Sequence, residues 1–290
     1  MDQGSHMSDV RSGAIVADGP DSRSQDAGAN VPPRIMLRSM GIHAVTEAEC
    51  VRYIIGAMER AEGGWVATAN LDHLRRYLAE PDFARLYADA SLVVADGMPL
   101  VWASRLQGTP LPQRVAGSNL IWSLSEAAAA HGYSVFLLGG APQTAERAAE
   151  ILRGRYPRLR VAGTDCPPPG FEKDPAHVQR IARLLEQAGP DIVYVALGSP
   201  KQEQLIVRLR GRLPRAWWLG IGISFSFVAG QVRRAPLWMQ RAGLEWLHRL
   251  VQEPSRLSRR YLLHGLPFGA ALLAESAVRR GLRCAGGLRR

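Results

Sequence analysis

Asp96 follows the run Ser91-Leu92-Val93-Val94-Ala95 and precedes Gly97. If that run is a strand, the carboxylate stands at its C-terminal end, where a general base can take a proton from a bound hydroxyl. The same residues also read as an Asp-Gly turn in which Asp96 caps a helix starting near Pro99. Thr68 and Asn70 end another apolar run. Their hydroxyl and amide suit a sugar or phosphate, while a helix cap accounts equally well for Asn70. Two glycine turns lead from apolar runs into helical patterns: Phe136 to Pro142, which carries Gly139 and Gly140, and Gly198-Ser199-Pro200-Lys201-Gln202-Glu203. Backbone N–H groups at such a turn can face an anion, or the turn is simply a strand-to-helix connection. Neither is G-x-G-x-x-G or a Walker loop, which weighs against dinucleotide oxidoreductases and nucleoside triphosphatases. The chain has no Asp-x-Asp, a carboxylate pair that commonly holds a divalent ion against a nucleotide diphosphate, so no metal cofactor is expected. Cationic side chains and helix ends must then meet any leaving charge. Arg249, Arg256 and Arg259 are spaced seven and three apart, so at about 100° per residue they share a face if the helix continues past Pro254. An arginine fork suits bidentate phosphate binding; a solvated basic face is the competing reading.

These residues need strands to carry them. Trp65 to Thr68, Ser91 to Ala95, Val135 to Leu138, Asp191 to Leu197 and Trp217 to Ile221 are the candidate strands, mostly unbroken apolar runs of the kind buried on both faces of a parallel sheet. Helical patterns lie between them: Leu74 to Ala79, Leu120 to His131, Thr144 to Arg153, Ala176 to Gln187 and Gln202 to Arg210. Strand and helix in alternation predict an α/β, Rossmann-like layered fold with a mostly parallel sheet and a ligand crevice outside the C-terminal strand ends. Residues 1–33, rich in Asp, Ser, Gly and Pro, are expected to form a disordered tail. The α/β body is assigned to residues 34–236 and a basic, Leu- and Trp-rich helical appendage, interrupted at Pro254, to residues 237–290.

The chain has 290 residues, enough for a substantial core without a disulfide or metal staple. Its net charge of +10 is uneven: residues 231 to 290 hold twelve arginines against Glu245, Glu253 and Glu275. A near-neutral body with a basic C-terminal end points to a localised anionic partner, which could be nucleic acid, anionic lipid or a phosphorylated substrate. Cys50, Cys166 and Cys284 are widely separated, so free thiols in a reducing compartment are expected. The N-terminal stretch lacks an apolar signal core. The apolar stretches Ala216 to Gly230 and Tyr261 to Ala274 fall short of the roughly 20 residues of a membrane span, so no transmembrane helix is predicted.

Taken in order, Thr68-Ala69-Asn70, Ala95-Asp96-Gly97-Met98-Pro99, Arg114-Val115-Ala116-Gly117, Phe136 to Gly140, Gly198 to Glu203, Arg234-Ala235-Pro236 and Gly243-Leu244-Glu245-Trp246-Leu247-His248-Arg249-Leu250 resemble the WecG/TagA/CpsF glycosyltransferase family. Each motif is weak alone; seven in the family's order are specific, and they cover about residues 34 to 265.

The resemblance implies transfer of a hexose or N-acetylhexosamine from a UDP-sugar to a polyprenyl-diphosphate-linked acceptor in cell-surface polysaccharide synthesis, with inversion and without a metal. By position it implies Asp96 as catalytic base and Thr68 and Asn70 in the sugar pocket. Arg114 would lie near the substrate, with Gln202 and its neighbours Gly198, Ser199 and Lys201 on the nucleotide side; Gly139 and Gly140 are kept as substrate-binding candidates on the strength of their anion-facing turn. Arg249, Arg256 and Arg259 would close over the UDP diphosphate. Two positions depart from the family's usual pattern: Ser226 stands where many relatives carry an acid in Phe-Asp-Phe, and Asn119 where Arg-Val-x-Gly-x-Asp is common. Leu262, Leu263, Leu266, Phe268, Leu272 and Leu273, beside Arg259, Arg260, Arg279, Arg280 and Arg283, would lie on the anionic inner membrane surface, making the enzyme cytoplasmic and peripheral. Packing on the body or a homo-oligomer interface is the alternative for this tail. The competing function is a non-catalytic lipid or nucleic-acid module, though no RNP-like strand or helix-turn-helix supports nucleic acid.

Overall fold

A computed structural model describes residues 31–287, with the side chains of Arg256 and of residues 283–287 outside that description. The tail expected over residues 1–33 therefore lies almost wholly outside the described residues, as do the guanidiniums of Arg256 and Arg283 and the thiol of Cys284.

A short antiparallel hairpin comes first, β1 (Arg34–Leu37) and β2 (Met40–His43). Helix α1 (Glu47–Glu59) opens on a capping box in which the Thr46 hydroxyl accepts from the Glu49 amide while the Glu49 carboxylate accepts from the Thr46 amide. The main sheet is built from β3 (Gly64–Ala69), β4 (Leu92–Ala95), β5 (Ser134–Gly139), β6 (Arg160–Asp165), β7 (Ile192–Ala196) and β8 (Trp217–Gly220). Its order is β4-β3-β8-β7-β5-β6, and every pairing is parallel. The five strands expected from the apolar runs all form. The hairpin and β6 were not expected: both hairpin strands are only four residues long, and β6, Arg-Val-Ala-Gly-Thr-Asp, is a half-exposed edge strand with no continuous apolar run.

Crossover helices cover both faces. Alternation along each strand splits the core into two clusters. Trp65, Phe136, Val193 and Trp218 face one side, with α2 (Leu71–Ala79), α3 (Pro81–Leu86), α4 (Met98–Leu106), α7 (Pro175–Ala188) and α8 (Lys201–Leu209). Val66, Val135, Tyr194 and Trp217 face the other, with α1, α5 (Gly117–His131), α6 (Thr144–Arg155) and α9 (Ser224–Val228). Burial of these Trp, Tyr and branched side chains supplies the main drive for the layered fold.

The C-terminal appendage runs through α10 (Leu237–Arg241), α11 (Glu245–Gln252), α12 (Pro254–Ser258), a π-helical stretch (Arg259–Gly265) and α13 (Leu266–Gly287). Helix α11 stops before Pro254, and Glu253 leaves helical geometry at φ −129° and ψ 58°, as the residue before a proline is driven to do. Arg249 and Arg259 therefore sit on different helices, and their shared face by helical spacing does not hold. Past Pro254 the chain is helical to Gly287, because the wider π turn precedes Pro267 and accommodates its missing donor. The helical segment Arg259–Leu282 is longer than the apolar stretch Tyr261 to Ala274 and reaches the length and composition of a membrane span. One stripe of it packs on the body. Leu272 is buried, the Arg38 guanidinium stacks 5.0 Å from the Phe268 ring centre, and Arg38 Nε pairs with Glu275 at 2.9 Å.

Candidate active site

The C-terminal ends of β3, β4 and β8 open side by side. The Asp96 amide donates to Ala69 O of the neighbouring strand at 2.7 Å, and the Val115 amide donates to Ala95 O at 2.8 Å. These two bonds fix Asp96 beside the end of β3 and draw the Arg114–Val115 loop onto the end of β4. Helix α4 is capped by Gly97 with no side-chain bond, so Asp96 does not serve as its cap. Instead Asp96 projects toward the start of α5, where the Gly117 amide donates to it. The residue as a whole is half-buried. Burial pushes its pKa up to about 7, against the pull of the Arg114 and Arg234 guanidiniums and the Gly117 amide, while the Glu245 charge adds to the upward push. A carboxylate so placed is half-protonated near neutrality and can accept a proton from a weakly acidic hydroxyl.

The charges around Asp96 form a chain of contacts. Arg114 Nη1 donates to Glu245 Oε2 at 2.6 Å, and Arg234 Nε donates to Glu245 Oε1 at 3.2 Å. Arg234 Nη1 donates to Asn119 Oδ1 at 2.6 Å, and Asn119 Nδ2 donates to Glu47 Oε2 at 3.0 Å. Burial alone would raise Glu245, but the hydrogen bonds and charges of Arg114 and Arg234 hold its carboxyl below the usual range. Arg234 Nη2 is buried and has no partner. The departure at Asn119 has a structural consequence, since an amide can bridge a guanidinium and the Glu47 carboxylate by donating one way and accepting the other.

The remaining candidates divide. Thr68 is buried and its hydroxyl donates to Gly220 O at 2.8 Å, stitching β3 to the end of β8. Asn70 is the N-cap of α2: its side-chain oxygen accepts from the amides of Asp72 and His73 at 3.0 and 3.2 Å. Gly139 has φ +103°, and a Cβ there would lie 2.7 Å from Ala196 O, so only glycine lets β5 turn past β7. The Gly140 amide donates to the same Ala196 O at 2.8 Å. Gly198 also lies at positive φ, +73°, and the Ser199 hydroxyl is buried without a partner. Gln202 is buried; its Oε1 accepts from the Gly222 amide at 3.0 Å and its Nε2 donates to Glu203 Oε1 at 2.9 Å. Lys201 pairs with Glu172 at 2.6 Å, which ties α8 to the turn after β6 rather than to the carboxylate cluster. In the appendage, Arg249 Nε is buried without a partner, whereas Arg259 is exposed.

Spacing did not single out Glu245, which meets Arg114 across 131 positions. The Arg-Ala-Pro and Gly-Leu-Glu-Trp motifs marked Arg234 and Glu245 only as pieces of a pattern. Glu203 was likewise read as a motif letter; it is buried, with Oε2 unpartnered. Its charge bears on His73, which burial holds below the usual histidine range and which lies 3.1 Å from the Tyr87 hydroxyl.

The site thus consists of a parallel α/β sheet with a carboxylate of raised pKa at its strand ends, faced by two arginines, an arrangement suited to group transfer. A profile of the Glycosyl transferase WecG/TagA/CpsF family matches residues 35–281, and the chain belongs to that family. It is a glycosyltransferase. The chain is 32% identical over 202 residues to an N-acetylglucosaminyldiphosphoundecaprenol N-acetyl-beta-D-mannosaminyltransferase of Bacillus spizizenii, covering 70% of this chain and 76% of that one. It is also 32% identical over 197 residues to the enzyme of the same name from Bacillus subtilis, covering 68% of this chain and 75% of the relative.

Proposed function

We propose that the enzyme transfers a hexose or N-acetylhexosamine from a UDP-sugar to a polyprenyl-diphosphate-linked saccharide, by a single inverting displacement that needs no metal. Asp96 takes the proton of the attacking acceptor hydroxyl as its oxygen bonds to the anomeric carbon. The bond from that carbon to the diphosphate oxygen breaks on the opposite side, and UDP leaves with the electron pair. The relatives' names, which specify N-acetylmannosaminyl transfer onto N-acetylglucosaminyldiphosphoundecaprenol, support an N-acetylhexosamine as donor sugar and a lipid diphosphate as acceptor.

The observation that carries this reading is Asp96: a buried carboxylate raised to about 7, with the spare buried donor of Arg234 in the same cluster. Arginine donors can meet the leaving diphosphate without a metal ion. Arg249, whose buried Nε has no partner, is assigned to join them from the appendage. The exposed Leu262, Leu263 and Leu266, together with exposed Leu237, Trp238 and Val251, favour an appendage lying in the headgroup layer of an anionic membrane, with its Leu272 stripe held on the body.

Incubation of UDP-sugars with an N-acetylglucosaminyl-diphosphate-lipid in EDTA tests the reading. UDP release coupled to a disaccharide lipid of inverted anomeric configuration is expected. A retained configuration, or activity restored only by a divalent cation, would contradict the corresponding part.

A further inference from the structure

Glu245 is carried by the appendage, yet it lies inside the cluster that surrounds the candidate base. Its two oxygens are divided between two arginines of the body, Arg114 in the loop before α5 and Arg234 in the segment after α9. The side chains of Arg114 and Glu245 are each only 14% exposed, and that of Arg234 22%, so water screens these contacts weakly. We propose that Glu245 is a positioning residue: by engaging Arg114 and Arg234 it keeps both guanidiniums from closing on Asp96, so docking of the appendage readies the carboxylate to receive the acceptor's proton. The proposal rests on the reading of Asp96 as base.

The charge count explains why a third group is needed. Two cations beside one buried carboxylate would form a tight ion pair, which stabilises the anion and weakens it as a base. A second carboxylate shared by both arginines restores balance. The groups facing Asp96 are Arg114, Arg234, Glu245 and the Gly117 amide. Arg234 is held on its other side by Asn119, which Glu47 holds in turn. Arg234 is thus fixed through Nε and Nη1, leaving Nη2 as the donor for substrate. The Glu245 charge acts on Asp96 in the direction the proposal requires, raising its proton affinity. An appendage lifted from the body would remove that charge together with Arg249, so an undocked enzyme would carry a weaker base as well as an incomplete diphosphate site.

The test compares wild type with Glu245→Gln, Glu245→Asn and the charge-retaining Glu245→Asp. Two readouts are used: the pH dependence of turnover, and the infrared carboxyl stretch of Asp96, identified by its loss in Asp96→Asn. Both neutral variants should titrate Asp96 about one pH unit or more toward acid, the size expected when a neighbouring negative charge is lost beside a carboxylate. The acid limb of turnover should move by the same amount, and Glu245→Asp should keep the wild-type position. An unmoved Asp96 titration in folded neutral variants would overturn the proposal. So would failure of both neutral variants to fold while Glu245→Asp folds, which would make Glu245 a structural latch. The base reading fails separately, through an active Asp96→Asn, and the infrared titration still reports on Glu245 in that case.

Discussion

Replacing Asp96 by Asn keeps the shape and removes the proton acceptor. Turnover should fall by about 10²- to 10⁴-fold, the range general-base catalysis supplies, while donor binding measured by calorimetry changes little. The same substitution should affect stability in a pH-dependent way. The folded-state pKa of Asp96 lies near 7, above the ordinary value of 3.8, so the native state holds a proton the unfolded state has released. Stability therefore declines as pH rises from about 4 to 7, and each unit of upward shift is worth about 1.4 kcal/mol. Asp96→Asn should accordingly stabilise the protein at pH 7 and leave it nearly unchanged at pH 4, as followed by thermal unfolding. Equal stability changes at both pH values would place Asp96 in a more solvated setting. At Asn70 the cap and substrate roles separate cleanly. Asn70→Asp keeps the acceptor that caps α2 but removes the amide donors, whereas Asn70→Ala loses both and should cost about 1 kcal/mol. A weakened donor affinity in a fully stable Asn70→Asp would assign the amide to substrate.

At the scale of elements, the strand ends explain what the sequence made legible and what it did not. Strands β3, β4, β5, β7 and β8 announced themselves because a strand buried on both faces has to be apolar throughout. Strand β6 lies at the sheet edge with its residues only half covered, so no such constraint marks it. Asp96, Asn70 and the glycine turns could be found because a strand end followed by a helix start is a local pattern. Arg114, Arg234 and Glu245 act together only after chain segments 131 positions apart have been packed, and spacing carries no trace of that. The turn after β7 illustrates a motif with a structural share: Gln202 secures the Gly222 amide and the buried Glu203 carboxylate. Gln202→Ala should destabilise by about 1–3 kcal/mol, the cost of stranding buried polar groups, readable as a lower urea midpoint. A Gln202→Ala variant of wild-type stability but poor donor affinity would instead assign this side chain chiefly to substrate.

For the whole molecule, the concentration of positive charge in the C-terminal segment acquires a geometry. Part of it, Arg249, lies on α11, the helix whose Glu245 meets Arg114 and Arg234, and part borders exposed leucines on the helix that follows. Truncation after Met239 should abolish turnover and reduce binding to phosphatidylglycerol vesicles, with the body still folded by circular dichroism. Wild type should release from such vesicles as salt rises, because the Debye length shortens from about 10 Å at 0.1 M to about 3 Å at 1 M. Turnover unchanged by the truncation would contradict the role given to Arg249 and Glu245. Equal affinity for neutral and anionic vesicles would remove the electrostatic part of membrane docking.

The central claim is that a carboxylate with a pKa near neutrality drives glycosyl transfer. It is tested most directly by measuring sugar transfer to the lipid-linked acceptor from pH 5 to 9, for wild type and Asp96→Asn side by side. Wild-type turnover should rise with pH to a plateau, with its midpoint near 7, and the variant should stay at the floor throughout. A variant that retains the wild-type plateau, or a wild-type profile flat down to pH 5, would contradict Asp96 as the base.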